Sequence, residues 1–351
     1  MAAAERRLLG QLALELPDHD AQDRAPAAQH LRLALDLKQP EGQAVVRRLA
    51  AEADVLIENF KPGTLEGWGL SPDALREANP GLIVLRISGF GQTGPSANKP
   101  GFGVLGEAMG GLRHFTGEPG RVPVRVGVSI GDTLAALHGV IGVLLALRHR
   151  EVNGGQGQVI DVALYESVFN VMESLLPEYD AFGAVRGAAG SALPGIAPSN
   201  AYRCADDAYV LVAGNGDSIF RRLMGAIGRA DLAAAPGLAR NDGRVACVGE
   251  IDAAIEAWTV QRPIDEVIAT LEAVGVPVGR TYTVADIATD PQYLAREMVL
   301  EVKDREGRPL KVPGVVPKLS ATPGRLRTPA PRLGEHNEVL KSDGGWPERD
   351  G

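Results

Sequence analysis

Between residues 31 and 90 the chain alternates between strand-like and helix-like patterning, and this alternation decides the fold class. LRLALDLK (31–38) alternates as a strand does. PEGQAVVRRLAAEA follows as a helix with Pro40 in its first turn, where a proline is tolerated. DVLIENF (54–60) reads as a buried strand, PDALREANP as a short helix opened by Ser71, and GLIVLRISGF (81–90) as a third strand. Strand, helix, strand, helix, strand implies parallel pairing with helices packed on the sheet, so an α/β fold is expected. The Gly- and Pro-rich loop GFGQTGPSANKPGFG (89–103) then leaves the C-terminal end of a strand, where such sheets bind ligands. No Gly-Lys-Ser/Thr follows, so it is not a Walker phosphate loop.

The second constraint is RVGVSIGDTLAALHGVIGVLLALRHR (125–150). Leu134, Leu137, His138, Ile141, Leu144, Leu145 and Arg148 recur at helical spacing. Asp132 therefore falls at a helix N-terminus, where free N–H groups and the helix dipole favour an anion. A carboxylate kept ionised there is either a cap or a nucleophile, and local pattern alone does not separate the two.

The remaining chain adds a strand and helix in VIDVALYESVFNVMESLL and, after Pro194, a change of texture. GIAPSNAYRCADDAYVLVAG predicts two antiparallel strands around an Asp-Asp turn. NGDSIFRRLMGAIG predicts a helix capped by Asp217 or Ser218, and further helices are expected at 248–260 and 263–274. VGVPVGRTYTVADIATD reads as strand, loop and helix, and 301–314 as a hairpin turning at Glu306-Gly307. At the start, AERRLLGQLALEL reads as one short helix, and the Pro/Arg-rich tail after Ser320 is expected to run back over the first domain.

Length and composition limit what such a chain does. At 351 residues two domains are expected. A net charge of −8 argues against a nucleic-acid partner, which needs a basic face. Cys204 and Cys247 match no metal spacing, so no metal site is expected, and the pair fits a reducing, cytoplasmic compartment. No apolar run reads as unbroken enough to span a bilayer, and the first residues lack the apolar core of a signal peptide.

Eight ordered segments together resemble one family. They are ALDLKQPEG, ADVLIENFKPGTLEGWGL, NPGLIVLRISGFGQTGP, GDTLAALHGVIGVLLALRHR, GGQGQVIDVALYES, GNGDSIFRRLMGAIGRADL, GVPVGRTYTVADIATDPQYLAREM and GEHNEVL, spanning 33–340. This pattern resembles the class III CoA-transferases, the family of formyl-CoA:oxalate and carnitine CoA-transferases and the α-methylacyl-CoA racemases. Residues 1–30 match none of the family's opening strand and helix. The resemblance implies a Rossmann-like large domain over 1–196, a small α+β domain over 197–322, a C-terminal return segment over 323–351, and an interlocked homodimer.

It also implies chemistry. Asp132 matches the family's catalytic carboxylate. GNGDS (214–218) matches its glycine-rich loop, so Gly214 and Gly216 are expected at the active site. Asn59, Phe60 and Lys61 match the coenzyme-binding ENF-x-PG loop, with Lys99 as a second basic candidate; an Arg of the family pattern is replaced by Gly67. Acyl-CoA is then the substrate, with a free carboxylic acid as acceptor and no permanently bound cofactor. Three readings compete: CoA transfer, racemisation of an acyl-CoA, and a CoA-binding remnant without activity. Racemases carry a histidine in a Gly-His-Asp motif, and Gly101-Phe102-Gly103 stands there instead. A phenyl ring moves no proton, which favours transfer. His114 and His138 are the nearby alternatives, with His138 read as a packed histidine. Glu166, Glu173 and Glu178 are the remaining acids near the site.

Overall fold

The computed structural model describes residues 13–15, 32–304, 306–326 and 333–340. These fall into two compact units. The first comprises the described residues of Met1–Arg113, Arg125–Val185 and Glu297–Gly351, and the second those of His114–Val124 and Arg186–Arg296.

The first unit is built on a four-stranded sheet. In chain order its elements are β1 (Ala13–Glu15), α1 (Pro40–Glu52), β2 (Val55–Glu58), α2 (Thr64–Gly67), α3 (Pro72–Ala78) and β3 (Ile83–Ser88). After the glycine-rich loop come α4 (Gly103–Met109), α5 (Leu112–Phe115), α6 (Ile130–Val152), β4 (Val159–Ala163), α7 (Leu164–Phe169) and α8 (Leu175–Phe182). The strand order is β1-β2-β3-β4, with β2, β3 and β4 parallel and β1 antiparallel. The α/β expectation holds, and Ser71 opens α3 by accepting a hydrogen bond from the Ala74 amide at 3.2 Å.

Both faces of this sheet are covered, which is why β3 opens on three consecutive apolar residues, Ile83, Val84 and Leu85. Leu56 and Val84 point toward α1 and α3, where Val46, Ala50 and Leu75 meet them. Val55, Ile83 and Leu85 point the other way, onto Ala135 and Ala146 of α6. That helix approaches closely because its inner face is small. A Cβ at Gly139 would stand 2.8 Å from Leu85 Cδ2.

Three readings change. Ala13–Glu15 lies inside the segment read as a helix but is a strand paired with the edge of β2; the rest of that segment lies outside the described residues. An alternating LALEL run next to an unpaired edge favours the ladder over an isolated turn of helix. Residues 32–36 join no sheet. Their backbone is met instead by the tail: Arg32 N–H donates to His336 Nδ1, His336 N–H to the Arg32 carbonyl, and Ala34 N–H to Asn337 Oδ1. Finally, α6 is long and apolar enough to cross a bilayer by length and composition, contrary to the reading of the bare sequence. Its small-residue face nonetheless packs on the sheet as a core helix does.

In the second unit β5 (Ser199–Arg203), β6 (Tyr209–Ala213) and β7 (Val278–Arg280) form an antiparallel sheet, in that order. Helices α9 (Asp217–Ala226), α10 (Ala230–Ala234), α11 (Asn241–Ala246), α12 (Val248–Thr259) and α13 (Ile264–Ala273) join it. Phe220, Leu223, Ile251, Ile255, Val267 and Leu271 close one core against Val210 and Val212. The unit ends with α14 (Val284–Ile287), opened by a Thr283–Asp286 capping box, and α15 (Pro291–Ala295). The hairpin β8 (Val299–Lys303) with β9 (Pro309–Pro313) follows. Cys204 and Cys247 are free thiols.

Candidate active site

Asp132 sits in the first turn of α6, exposed, on a helix whose N-cap residue Ser129 makes no side-chain cap bond. Its partner across the turn is the N-terminal end of α4. A Cβ on Gly103 would stand 2.7 Å from Asp132 Oδ1 and 2.8 Å from Oδ2, so a larger residue would displace this carboxylate from its place. The contact is repeated beside it, where a Cβ on Gly131 would lie 3.2 Å from the Gly103 carbonyl and 3.4 Å from Glu107 Cγ. The result is an accessible carboxylate held from behind by backbone.

Glu107 escaped the sequence reading. It is fully buried, one turn after Gly103 on α4. Its Oε2 accepts two hydrogen bonds from Arg113, from Nε at 3.2 Å and Nη2 at 2.9 Å, and lies 3.9 Å from Arg125 Nε. Its Oε1 has no hydrogen-bond partner. The one signal in the sequence was a lone acid inside the small, apolar GVLGEAMG run.

The candidate coenzyme residues lie on the loop after β2. In a parallel sheet the segments leaving β2 and β3 emerge at the same edge, so Asn59–Lys61 and the 89–102 loop share it. The latter loop doubles back on itself, since a Cβ on Gly89 would stand 2.7 Å from the Gly101 Cα, and so returns the chain from β3 to α4. Phe60 packs edge-on against Trp68, ring centroids 5.2 Å apart, while Asn59, Lys61 and Lys99 are exposed.

Beneath Phe60 runs an ion-pair chain that the sequence did not single out. Glu58 and Arg86 are register partners on β2 and β3. Arg86 Nε donates to Glu58 Oε1 at 2.6 Å, and its Nη1 and Nη2 donate to the Glu66 carboxylate at 2.7 and 3.2 Å. The Phe60 amide donates to Glu58 Oε2 at 2.7 Å. Burial pushes the Glu58 carboxyl above its usual range against the pull of Arg86. At Glu66, burial acts the same way, but the Arg86 hydrogen bonds outweigh it and hold that carboxyl low.

Gly214 and Gly216 belong to the second unit. Gly214 is required by packing: a Cβ there would stand 2.5 Å from Leu223 Cδ2 and 3.0 Å from Pro198 Cγ. Its amide donates to the Pro198 carbonyl at 2.9 Å. Gly216, rather than Asp217 or Ser218, is the N-cap of α9; Asp217 is instead the first helical residue. Asp217 accepts from Arg240 Nη1 and Arg244 Nη2, both at 2.8 Å. Arg244 is fully buried, holds the Asn215 carbonyl at 2.7 Å, and lies over the Phe220 ring. The glycine-rich loop is thus tied down from its inner side.

The other candidates have local partners. The two ring nitrogens of His138 meet the Leu134 carbonyl at 2.8 Å and Asn170 Oδ1 at 3.2 Å. Glu166 accepts from Tyr165 at 3.1 Å and Glu178 from Ser174 at 2.6 Å; Glu173 and His114 are exposed. No group of three or more metal-ligating side chains occurs among the described residues.

Comparison with known proteins places this geometry in context. A family model described as CoA-transferase family III matches residues 28–337. The chain is 46% identical over 311 residues to a succinyl-CoA–D-citramalate CoA-transferase of Chloroflexus aurantiacus, covering 89% of this chain and 77% of the relative. It is 36% identical to a succinate–glutarate CoA-transferase of Agrobacterium fabrum, covering 89% and 77%. Among solved structures, a CaiB/BaiF family protein from Brucella suis matches with a TM-score of 0.75 at 37% identity, covering 89% of this chain and 80% of that one.

Proposed function

This chain belongs to CoA-transferase family III, and from that membership we propose that it moves CoA from an acyl-CoA donor to a free carboxylic acid through Asp132. The observation that carries the assignment is the exposed Asp132 carboxylate in the first turn of α6, seated on the Cα of Gly103. A carboxylate is a weak nucleophile, so its position must supply what its basicity does not.

The exchange needs no oxidant and no net proton. An Asp132 oxygen attacks the thioester carbonyl, the C–S bond breaks, and a mixed anhydride forms with release of the CoA thiolate. The thiolate then attacks the aspartyl carbonyl. The anhydride C–O bond breaks, the donor acid leaves as a carboxylate, and Asp132 carries CoA as a thioester. An acceptor carboxylate attacks that thioester and frees the thiolate. The thiolate takes the acceptor's acyl group from the second anhydride and regenerates Asp132. Each step passes through an oxyanion that needs aimed donors. From the family resemblance alone, Gly214 and Gly216 are assigned to the catalytic machinery.

Asn59, Phe60 and Lys61, with Lys99, are assigned to coenzyme A. An asparagine and two exposed lysines suit its polar arm and phosphates. The relatives named above are a succinyl-CoA–D-citramalate and a succinate–glutarate CoA-transferase. A dicarboxylic acid is accordingly the acceptor class assigned here. We also assign a homodimer. Leu137, Ile141, Leu144 and Leu145 on α6 are 54–67% exposed, a stripe that favours cover by a second copy.

The test is thioester exchange: purified protein with succinyl-CoA and a dicarboxylic acid, followed by chromatography of the CoA esters. A new CoA ester that disappears in Asp132→Asn, with the melting temperature unchanged, supports the assignment. Exchange that survives Asp132→Asn rejects it.

A further inference from the structure

Resting on the role given to Asp132, we propose that Arg113 and Arg125 bind the remote carboxylate of a dicarboxylic substrate, and so select diacids and their CoA half-thioesters over monoacids. Three observations carry this. First, α4 lays Gly103 and Glu107 across the first turn of α6, Gly103 against the Asp132 carboxylate and Glu107 against Gly131. One helical turn, about 5.4 Å along the axis, separates the two contacts. Second, two guanidinium groups share a single buried carboxylate. Arg113 donates twice to Glu107 Oε2, and Arg125 approaches the same oxygen to 3.9 Å. The cluster keeps one positive charge beyond what Glu107 neutralises. Third, neither arginine is used up. The Arg113 side chain is 21% exposed and that of Arg125 is 50% exposed, and their other N–H groups have no partner among the described residues.

Glu107 thus acts as a positioning residue: buried, acceptor-only, and committed through one oxygen to holding Arg113 in place. The free guanidinium edges form a partly exposed cationic surface around Glu107, whose side chain lies against Gly131, the residue before Asp132. A carboxylate matches a guanidinium edge with two parallel hydrogen bonds, which a methyl group cannot make.

The experiment compares succinyl-CoA with butyryl-CoA, which has the same chain length but lacks the distal carboxylate. With hydroxylamine present, the aspartyl-CoA thioester is converted to an aspartyl hydroxamate and CoA is released. The apparent second-order rate of hydroxamate formation at Asp132, by peptide mass spectrometry, is measured for each donor in wild type, Arg125→Gln, Arg113→Gln and Arg125→Lys. We expect wild type to prefer succinyl-CoA. We expect that preference to fall about 10- to 100-fold in either Gln variant, as loss of a charge-assisted hydrogen bond implies, and to recover partly with Lys. Melting temperatures establish that the variants are folded; Arg125, half exposed, keeps the test open should Arg113→Gln fail to fold. An unchanged donor ratio in Arg125→Gln, or an equal loss with both donors, overturns the proposal. No hydroxamate from either donor in wild type is a different failure, that of Asp132 as nucleophile, and the proposal falls with it.

Discussion

At the scale of single residues, the site is a set of charges whose neighbours decide their state. Asp132 was legible because helical periodicity and the Gly-Asp dipeptide put it at a helix start. Its seat on Gly103 was not, since the close approach of α4 and α6 is a tertiary contact with no local pattern. Glu107 and Arg244 were invisible for the same reason: a charged residue in a sequence gives no sign that it will be buried with partners from distant segments. Asp217 shows the consequence. Hydrogen bonds from Arg244 and Arg240 hold its carboxyl below the ordinary aspartate value. A group whose folded pKa is depressed stabilises the fold above its unfolded pKa, about 3.9. That contribution is lost as pH falls through the folded value. We therefore expect Asp217→Asn to lower the melting temperature at pH 7 and the difference from wild type to shrink below pH 4. Thermal melts across that range check it, and a difference that does not vary with pH contradicts the role given to Asp217.

At the scale of elements, the parallel pairing of β2 with β3 followed from alternation, because parallel strands need helical crossovers, whereas the place of β4 beside β3 was not read from the sequence. The alternating LRLALDLK segment misled, since its residues 32–36 join no sheet. Their backbone is satisfied by Asn337 and His336 instead. The Glu58–Arg86–Glu66 chain joins β2, β3 and α2, and its Phe60 contact fixes the loop assigned to the coenzyme. Glu58→Ala leaves Arg86 8% exposed with Glu66 alone. Breaking a buried pair on one side costs about 3–5 kcal/mol. We expect denaturant unfolding to show a loss of that order, and the KM for acyl-CoA to rise more than kcat falls. A variant with wild-type stability and an unchanged KM contradicts the anchoring role.

At the scale of the whole molecule, His114–Val124 and Arg186–Arg296 form a second unit built on its own antiparallel sheet, a grouping that no local change of texture marks. What the sequence left open was the outer face of α6. Its 23 residues did not read as a spanning segment, yet the helix is long and apolar enough to be one, and only packing shows which part is covered. Leu144 and Leu145 remain 61% and 67% exposed. We expect the wild-type protein to sediment as a dimer without detergent and Leu144→Asp with Leu145→Asp to sediment as a monomer; a monomeric wild type contradicts the assignment of this face. Every larger claim still depends on one covalent event. The most direct test is peptide mass spectrometry of the intact enzyme after reaction with succinyl-CoA and trapping with hydroxylamine. The account predicts a hydroxamate on Asp132 alone, formed only when the acyl-CoA is present. A hydroxamate on any other carboxylate, or turnover of succinyl-CoA to a new CoA ester with Asp132 unmodified, contradicts it.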